Sequence, residues 1–275
     1  MDRNSLGKEE FISEFLLTWL RDDFLPRQEQ AVLRNYYASY CKHFSERMRR
    51  HYDDQTSELM DLVSALNNPS VLEVGCGCGT ESLWVAFRGA EVRAIDVKAS
   101  RIEVAAKRLE VIRTILNEPL KCVFEKLSLL DLSNRSQYDI IWMEQTLHHL
   151  EPRREILDKL VDLLKPGGYI VISEANSLNP LLQIVLFAKR GWKTVKTYKD
   201  EFGGEHPYGN ERVLSARVLC KSLETRGIET VKIRYFRIFP NHPIFDSAAW
   251  LEQSMPRWLV PLFTHFNYVG RKAAI

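Results

Sequence analysis

The sequence lacks an apolar run long enough to cross a membrane. Its densest runs, PLLQIVLFA (180–188) and WLVPLF (258–263), fall well short of the ~18 residues that a spanning helix needs. Residues 1–10 are polar and charged and do not resemble a secretory signal. We expect a cytoplasmic protein that touches a membrane at most peripherally.

Cysteine is scarce, and its spacing argues against disulfides and zinc. The five cysteines are odd in number and irregularly placed, which favours reduced thiols. Cys76 and Cys78 are separated by one residue, whereas structural zinc sites usually space cysteines by about two to four and need further ligands. We therefore predict no metal site.

The chain also lacks an excess of one charge. It has 38 Lys and Arg against 36 Asp and Glu, a net charge of +2. The densest basic cluster, Arg47 to Arg50, is too short for a nucleic-acid stripe and is typical of a solvated helix face. We predict no nucleic-acid partner, and the oligomeric state is not readable.

Short apolar runs alternate with helical segments from residue 70 onward. This alternation predicts βαβ units, a mostly parallel sheet and helices on both faces, which is an α/β, Rossmann-like fold. Residues 230–239 and 265–272 are typical of closing strands. The five apolar runs are 70–74, 90–95, 121–127, 138–143 and 169–175.

The strand pattern divides the chain. Residues 1–66 have helical periodicity throughout and form an N-terminal extension or cap, with helices over 8–20 and about 28–66. Residues 67–275 form the main domain. After its fifth strand comes a lid-like insertion of about 40 residues (176–214), against a usual connection of about 2 to 6 in such folds.

The turn after the first predicted strand is rich in glycine. Residues without a Cβ let the backbone turn sharply and approach a ligand. Glu73 ends the strand, and its carboxylate repels a pyrophosphate but accepts hydrogen bonds from an amino group. Asp96 ends the second strand, where a carboxylate commonly binds ribose hydroxyls. The turn reads VLEVGCGCGT (71–80), and its glycines are Gly75, Gly77 and Gly79.

Together these motifs resemble the class I S-adenosylmethionine-dependent methyltransferases that act on small molecules or lipids. The resemblance covers roughly residues 65–175 and implies a seven-stranded sheet with an antiparallel last strand. Ser128 and Leu129 stand where the family usually has a Gly-Asp-Ala type turn, so adenine recognition departs from its pattern. The motifs are VLEVGCGCGT, AIDVKASRIEVAAKR, YDIIWMEQTLHHL and LKPGGYIVISEAN. The implied cofactor residues are Glu73, Gly75, Cys76, Gly77, Gly79, Asp96, Val97, Ser128, Leu129 and Met143.

Candidate catalytic groups follow the fourth strand. Glu144, His148 and His149 stand where a base would help a hydroxyl or acidic-carbon acceptor. Adjacent histidines diverge on a helix, so we expect at most one to act. The alternative is that both only pack against the following helix. Met143 to Thr146 does not resemble the Asn/Asp-Pro-Pro-aromatic motif of enzymes that methylate nucleic-acid bases.

The insertion carries apolar and acceptor-type residues. Its apolar run, 180–188, is followed by Lys189, Arg190, Trp192 and Lys193, and this predicts an amphipathic helix that is either a lid facing the core or a helix on a membrane surface. We favour the lid. His206 and Tyr208 are candidate acceptor-binding groups.

The sequence thus predicts an enzyme that uses S-adenosylmethionine to methylate an oxygen or carbon of a small, hydrophobic or lipid-like acceptor. Two alternatives remain at this point. One is a non-catalytic S-adenosylmethionine-binding module. The other, disfavoured by the glycine spacing and by Glu73, is a nicotinamide-dependent oxidoreductase.

Overall fold

The computed structural model describes residues 6–116, 119–133, 137–199 and 205–274, without the side chains of Lys199, Glu205 and His206. Its contacts group the chain into two compact units, Met1–Leu132 with Pro240–Ala249 and Ser133–Phe239 with Trp250–Ile275. The proposed division into a cap (1–66) and a main domain (67–275) stays a prediction.

The N-terminal region is helical, as the periodicity predicts. Helix covers most of 28–66 as expected, but in three pieces, because the chain leaves helical geometry at Tyr37 and again at His43. Ser45 then starts a new helix by accepting a hydrogen bond from the Met48 amide. The helices are α1 (Ile12–Arg21), α2 (Arg27–Tyr36), α3 (Ala38–Lys42) and α4 (Glu46–Ala65).

The first unit contains three parallel strands. The middle strand of the three is paired on both sides. Its Val92 lies opposite Val71 of one neighbour and opposite Cys122 of the other. Helices link these strands, and the first two apolar runs are largely buried, whereas Val123 in the third is 56% exposed. The elements are β1 (Ser70–Val74), α5 (Thr80–Phe87), β2 (Glu91–Asp96), α6 (Ala99–Leu116) and β3 (Cys122–Lys126).

The second unit adds two parallel strands and two closing strands. β4 (Tyr138–Glu144) and β5 (Leu164–Ala175) pair in parallel, and the last strand, β9 (His265–Lys272), is antiparallel to both β5 and β8 (Ile228–Phe236). The elements are β4 (Tyr138–Glu144), α7 (Arg153–Leu163), β5 (Leu164–Ala175), α8 (Pro180–Arg190), β6 (Val195–Lys199), β7 (Glu205–Gly209), α9 (Ala216–Glu224), β8 (Ile228–Phe236), α10 (Ala249–Ser254) and β9 (His265–Lys272).

The seven-stranded sheet has the order β3-β2-β1-β4-β5-β9-β8. The predicted mostly parallel α/β sheet with an antiparallel last strand is therefore confirmed. Parallel strands joined by helices place their carboxyl ends at one edge, where ligands of such folds bind. The glycine turn and Asp96 lie at the ends of β1 and β2, and Glu144 lies at the end of β4.

The insertion differs from the expected buried lid. The antiparallel pair β6–β7 was not predicted. Leu186 is the buried residue of α8, whereas Leu181 is 72% exposed and Ile184 is 65% exposed. The expectation that α8 turns its apolar residues toward the core is wrong, because these side chains face away from the packed interior. In the ranges that the structure covers, no helix has both the length and the apolarity to cross a membrane.

Candidate functional site

The glycine turn is fastened to the end of β2. The amides of Gly75 and Cys76 both donate to the Ile95 carbonyl, at 2.8 and 3.1 Å. Gly77 and Gly79 have positive φ angles of 53° and 76°, which side chains rarely adopt. A Cβ at Gly79 would also lie 2.7 Å from the Phe124 ring. The turn therefore needs glycine for its conformation and for its packing.

Asp96, the last residue of β2, is buried against this turn. Its Oδ2 accepts the Gly77 amide at 3.0 Å, and its Oδ1 accepts the Lys98 amide at 2.8 Å. The Arg101 guanidinium lies 3.7 Å from Oδ2. A carboxylate accepts about four hydrogen bonds, so both oxygens retain capacity for hydroxyl donors. Val97, the next residue, is 50% exposed and offers an apolar surface beside the carboxylate.

Tyr36 at the end of α2 covers the turn. A Cβ at Gly77 would lie 2.3 Å from the Tyr36 hydroxyl oxygen. The guanidinium of Arg101 stacks over the Tyr36 ring, 4.7 Å from its centroid. The end of α2 thus packs across the turn.

Glu73 lies beneath the turn and is buried. The Ser82 hydroxyl donates a hydrogen bond to its carboxylate. Burial and the Glu73 charge hold the pKa of the Cys76 thiol well above its ordinary value. Burial raises the pKa of the Cys78 thiol to about 11. Both cysteines are therefore protonated at neutral pH and act as small packing residues.

Arg108 on α6 supports the turn from below and was missed in the sequence. Its Nη1 donates to the Cys78 carbonyl at 2.7 Å and to the Thr80 hydroxyl at 2.8 Å. The side chain is fully buried, with its guanidinium 4.6 Å from the Trp19 ring centroid. The Tyr37 hydroxyl donates to the same Thr80 oxygen at 2.8 Å.

Ser128 and Leu129 follow β3 as expected. Ser128 caps a single 3-10 turn, Leu129–Asp131, by accepting the Leu130 amide. The Leu127 amide donates to the Asp96 carbonyl at 3.1 Å, which fixes the start of this turn beside β2. Leu129 is buried. The family's usual aspartate does not stand at Ser128 or Leu129. The backbone groups of this turn and the Ser128 hydroxyl are polar groups that could contact an adenine here.

A second group of candidates lies in the second unit, beyond β4. Met143 is fully buried in the strand and Glu144, half-buried, ends it. His148 and His149 belong to a 3-10 turn, Leu147–His149, and their ring centroids are 4.0 Å apart. The expectation that adjacent histidines diverge is wrong here, because the segment is one tight turn rather than a continuing helix.

His148 is held by a buried carboxylate. Its Nδ1 lies 2.8 Å from Glu174 Oε2, and its backbone amide donates to Glu174 Oε1 at 3.2 Å. Burial opposes a charge on the ring, but the Glu174 carboxylate outweighs burial and raises the pKa of His148. Glu174 is the last but one residue of the fifth strand, and sequence reasoning missed it although a carboxylate near the end of a parallel strand is a recognisable signal.

His149 contacts the insertion through Tyr208 and Gly209. Its Nδ1 lies 3.0 Å from the Gly209 carbonyl, and its ring stacks on Tyr208 at 4.8 Å. Because a carbonyl only accepts, Nδ1 carries the proton and Nε2 of the neutral ring keeps its lone pair. Burial and the neighbouring His148 lower the pKa of His149. The structure thus brings Tyr208 to a predicted catalytic residue, whereas the His206 side chain lies outside the described residues.

Comparisons with known proteins agree with this architecture. A family model described as "Methyltransferase domain" matches residues 72–170. A ubiquinone biosynthesis O-methyltransferase of Rickettsia bellii is 25% identical over 237 residues, which is 85% of this chain and 85% of that protein. Its namesake from Psychrobacter cryohalolentis is 31% identical over 166 residues, or 59% and 60%.

A solved structure shows the same fold. It is that of an S-adenosylmethionine-dependent methyltransferase from Methanosarcina mazei, with a TM-score of 0.54 and 18% identity, covering 78% of this chain and 98% of that one. This structure bears on the fold alone, whereas the family model and the two relatives confirm the methyltransferase resemblance that the sequence motifs predict. The chain is therefore an enzyme that transfers methyl groups from S-adenosylmethionine.

Proposed function

We propose that the turn after β1 and the ends of β2 and β3 hold S-adenosylmethionine. Asp96 supports this assignment most directly, because it is a buried carboxylate with unused acceptor capacity beside a glycine turn. In this proposal Asp96 accepts the ribose hydroxyls, and Glu73 attracts the amino group through the turn. The cofactor supplies an activated methyl group on a sulfonium.

The remaining cofactor contacts are distributed as follows. Val97 packs against the base, and the turn formed by Ser128 and Leu129 offers its backbone and hydroxyl to the adenine edge. The glycines and Cys76 line the methionine and ribose side, because their small size lets the backbone approach. Met143 belongs to the same proposed set through the family motif.

We further propose that the acceptor atom is a hydroxyl oxygen on a hydrophobic, lipid-like molecule. Both relatives described above are named O-methyltransferases of ubiquinone biosynthesis, which favours an oxygen over a carbon. Methyl transfer mainly requires alignment of the nucleophile with the sulfonium and exclusion of water. A group that polarises the hydroxyl adds to this effect.

Labelled cofactor tests the acceptor class. We expect the enzyme to transfer a labelled methyl group from S-adenosylmethionine to prenylated phenols and to form a methyl ether identified by mass spectrometry. The matched control is the corresponding prenylated aniline, which offers nitrogen in place of oxygen. Transfer to the aniline with none to the phenol would contradict the proposed acceptor.

Glu144, His148 and His149 are the proposed polarising groups. Tyr208, which stacks on His149, and His206 are proposed to contact the acceptor. We expect Glu144→Gln or His149→Ala to lower kcat by about 100- to 10,000-fold at saturating acceptor. His242→Ala, an exposed histidine of the other unit, serves as control. If Glu144→Gln, His148→Ala and His149→Ala all keep wild-type turnover, acid–base catalysis by this segment is excluded.

We also propose that α8 rests on an anionic membrane surface. Apart from Leu186, it exposes large apolar side chains such as Leu181 and Ile184, and the adjoining Trp192 is 88% exposed. Lys189 and Arg190 follow at the end of the helix. A helix with an exposed apolar face, an interfacial tryptophan and basic ends is typical of proteins that lie in the membrane interface.

Co-sedimentation with vesicles tests this contact. We expect stronger binding to vesicles that contain phosphatidylglycerol than to pure phosphatidylcholine, because each basic residue near an anionic surface contributes about 1 kcal/mol. The triple variant Leu181→Ser, Ile184→Ser, Trp192→Ser should lower the partition coefficient about tenfold or more. Trp258→Ser, at a residue 76% exposed outside α8, is the matched control. Equal binding of triple variant and wild type would refute the role of α8.

A further inference from the structure

The side chains of His148, His149 and Glu211 form a compact cluster of metal-ligating atoms. One ligand atom from each residue lies within 4.8 Å of the others, and His148 Nε2 is 3.8 Å from Glu211 Oε2. We propose that this cluster binds a divalent transition-metal ion. This inference departs from the sequence-based expectation of no metal, which considered only the cysteines.

Both imidazoles are arranged as metal ligands usually are. A ligating histidine commonly donates its second ring N–H to a carboxylate or a backbone carbonyl, which fixes the ring and its tautomer. Here the Nδ1 atom of His148 faces Glu174 at 2.8 Å, and that of His149 faces the Gly209 carbonyl at 3.0 Å. In both rings this leaves the Nε2 lone pair to bind the ion.

The third ligand is carried by a tightly packed segment. A Cβ at Gly209 would lie 2.2 Å from the His148 carbonyl oxygen, so only glycine allows this approach. The Arg212 amide donates to the same carbonyl at 3.2 Å. Between these contacts Glu211 has a φ of 53°, an uncommon conformation for a residue with a side chain. The backbone is therefore fixed on both sides of Glu211.

The charges around the cluster favour a cation. Glu174 and Glu211 contribute two carboxylates next to the imidazoles. The nearby guanidinium groups of Arg153 and Arg212 already pair with Glu151, at 3.5 and 2.7 Å. A divalent ion would balance the two carboxylates of the cluster.

The ligand set indicates the class of ion. Two imidazole nitrogens and one carboxylate favour Zn²⁺, Co²⁺ or Ni²⁺ over Mg²⁺ and Ca²⁺, which prefer oxygen. Bonds to such ions are about 2.0–2.2 Å long, so the Glu211 side chain, 38% exposed, must move inward on binding. Three protein ligands leave one tetrahedral position for a water or an oxygen of a bound molecule.

The proposal deepens the proposed function, because the same histidines are expected to polarise the acceptor. An ion in the cluster would supply that polarisation by its charge, and Glu144 would remain as the protein base. Metal binding is measured without turnover, so the metal site and the methyl-transfer assignment fail independently.

Cobalt titration of the full chain tests the site. The chelator-treated protein is titrated with Co²⁺, and the visible ligand-field bands report coordination. We expect one equivalent to bind with tetrahedral-type bands that Zn²⁺ then displaces and excess Mg²⁺ does not. Sulfur-to-cobalt charge-transfer bands would place the ion on cysteines and overturn the proposal.

Co²⁺ binding by variants of the proposed ligands tests where the ion is held. Glu211→Gln should weaken Co²⁺ binding at least tenfold, and His149→Ala should remove the bands. Glu174→Gln, which alters only the group behind His148, should weaken binding about 10- to 100-fold. Glu155→Gln on exposed α7 is the matched control and should bind like wild type. Because Glu211 is partly exposed, its variant keeps the test valid even if the buried substitutions impair folding. Wild-type affinity in Glu211→Gln and His149→Ala would overturn the site.

Discussion

Asp96→Ala should raise the Kd for S-adenosylhomocysteine by about 100-fold or more. In the proposed site the carboxylate accepts two ribose hydroxyls, and hydrogen bonds to a charged group contribute about 1.5–3 kcal/mol each. The substitution also removes the acceptor of the Gly77 amide, which shapes the turn. Isothermal titration calorimetry with S-adenosylhomocysteine measures the change directly.

Conservative variants separate charge from shape at this position. Asp96→Asn keeps the size of the side chain, so we expect a smaller loss than with alanine. Asp61→Asn, on the exposed face of α4, removes one carboxylate from the same unit and should leave the Kd unchanged. A Kd for Asp96→Ala within about threefold of wild type would contradict the proposed role of Asp96 in cofactor binding.

Arg108→Met should lower the free energy of unfolding by about 3 kcal/mol and weaken cofactor binding as well. The buried guanidinium holds the Cys78 carbonyl and the Thr80 hydroxyl, and its charge lies near the buried Glu81. Removal of one member of a buried charged group typically costs about 3–5 kcal/mol. Two nitrogens of the guanidinium, Nε and Nη2, have no hydrogen-bond partner among the described residues, so we expect the lower end of that range.

Urea denaturation followed by circular dichroism measures this loss. Arg113→Met, on the same helix but exposed, is the matched control and should shift the midpoint little. The double variant Arg108→Met, Glu81→Gln should recover part of the stability, because it also removes the carboxyl that burial disfavours. An unchanged midpoint in Arg108→Met would show that the buried guanidinium does not stabilise the unit.

The strands and the glycine turn were predictable because each depends on local sequence. A short apolar run between helical segments has few structural outcomes, and β9 was predicted at its observed bounds, His265–Lys272. Gly77 and Gly79 were recognisable because only glycine readily adopts the positive φ angles of a tight turn. The predicted Asp96 lies against that turn for the same reason, since it ends the neighbouring strand.

The long-range contacts that hold these residues in place were not predictable from the sequence. Arg108 has the appearance of a solvent-facing charge in a helix, and its burial depends on Trp19 and Thr80, which are distant in sequence. Glu211 was invisible because its approach to His148 depends on the fold of the insertion. The pairing of the two histidines depended on a 3-10 turn, which the apolar period does not distinguish from the start of a helix.

The two-stranded sheet β6–β7 makes the insertion an exchangeable part. Its strand β7 presents Tyr208 and Gly209 to the histidine turn, Glu211 follows two residues later, and none of the residues assigned to the cofactor belongs to this segment. In the proposed assignment, the residues for the acceptor and those for the methyl donor therefore lie on separate segments, so exchange of one segment should change the acceptor and leave cofactor binding unchanged. A chimera that exchanges residues 176–214 is accordingly the natural unit for redirecting this enzyme.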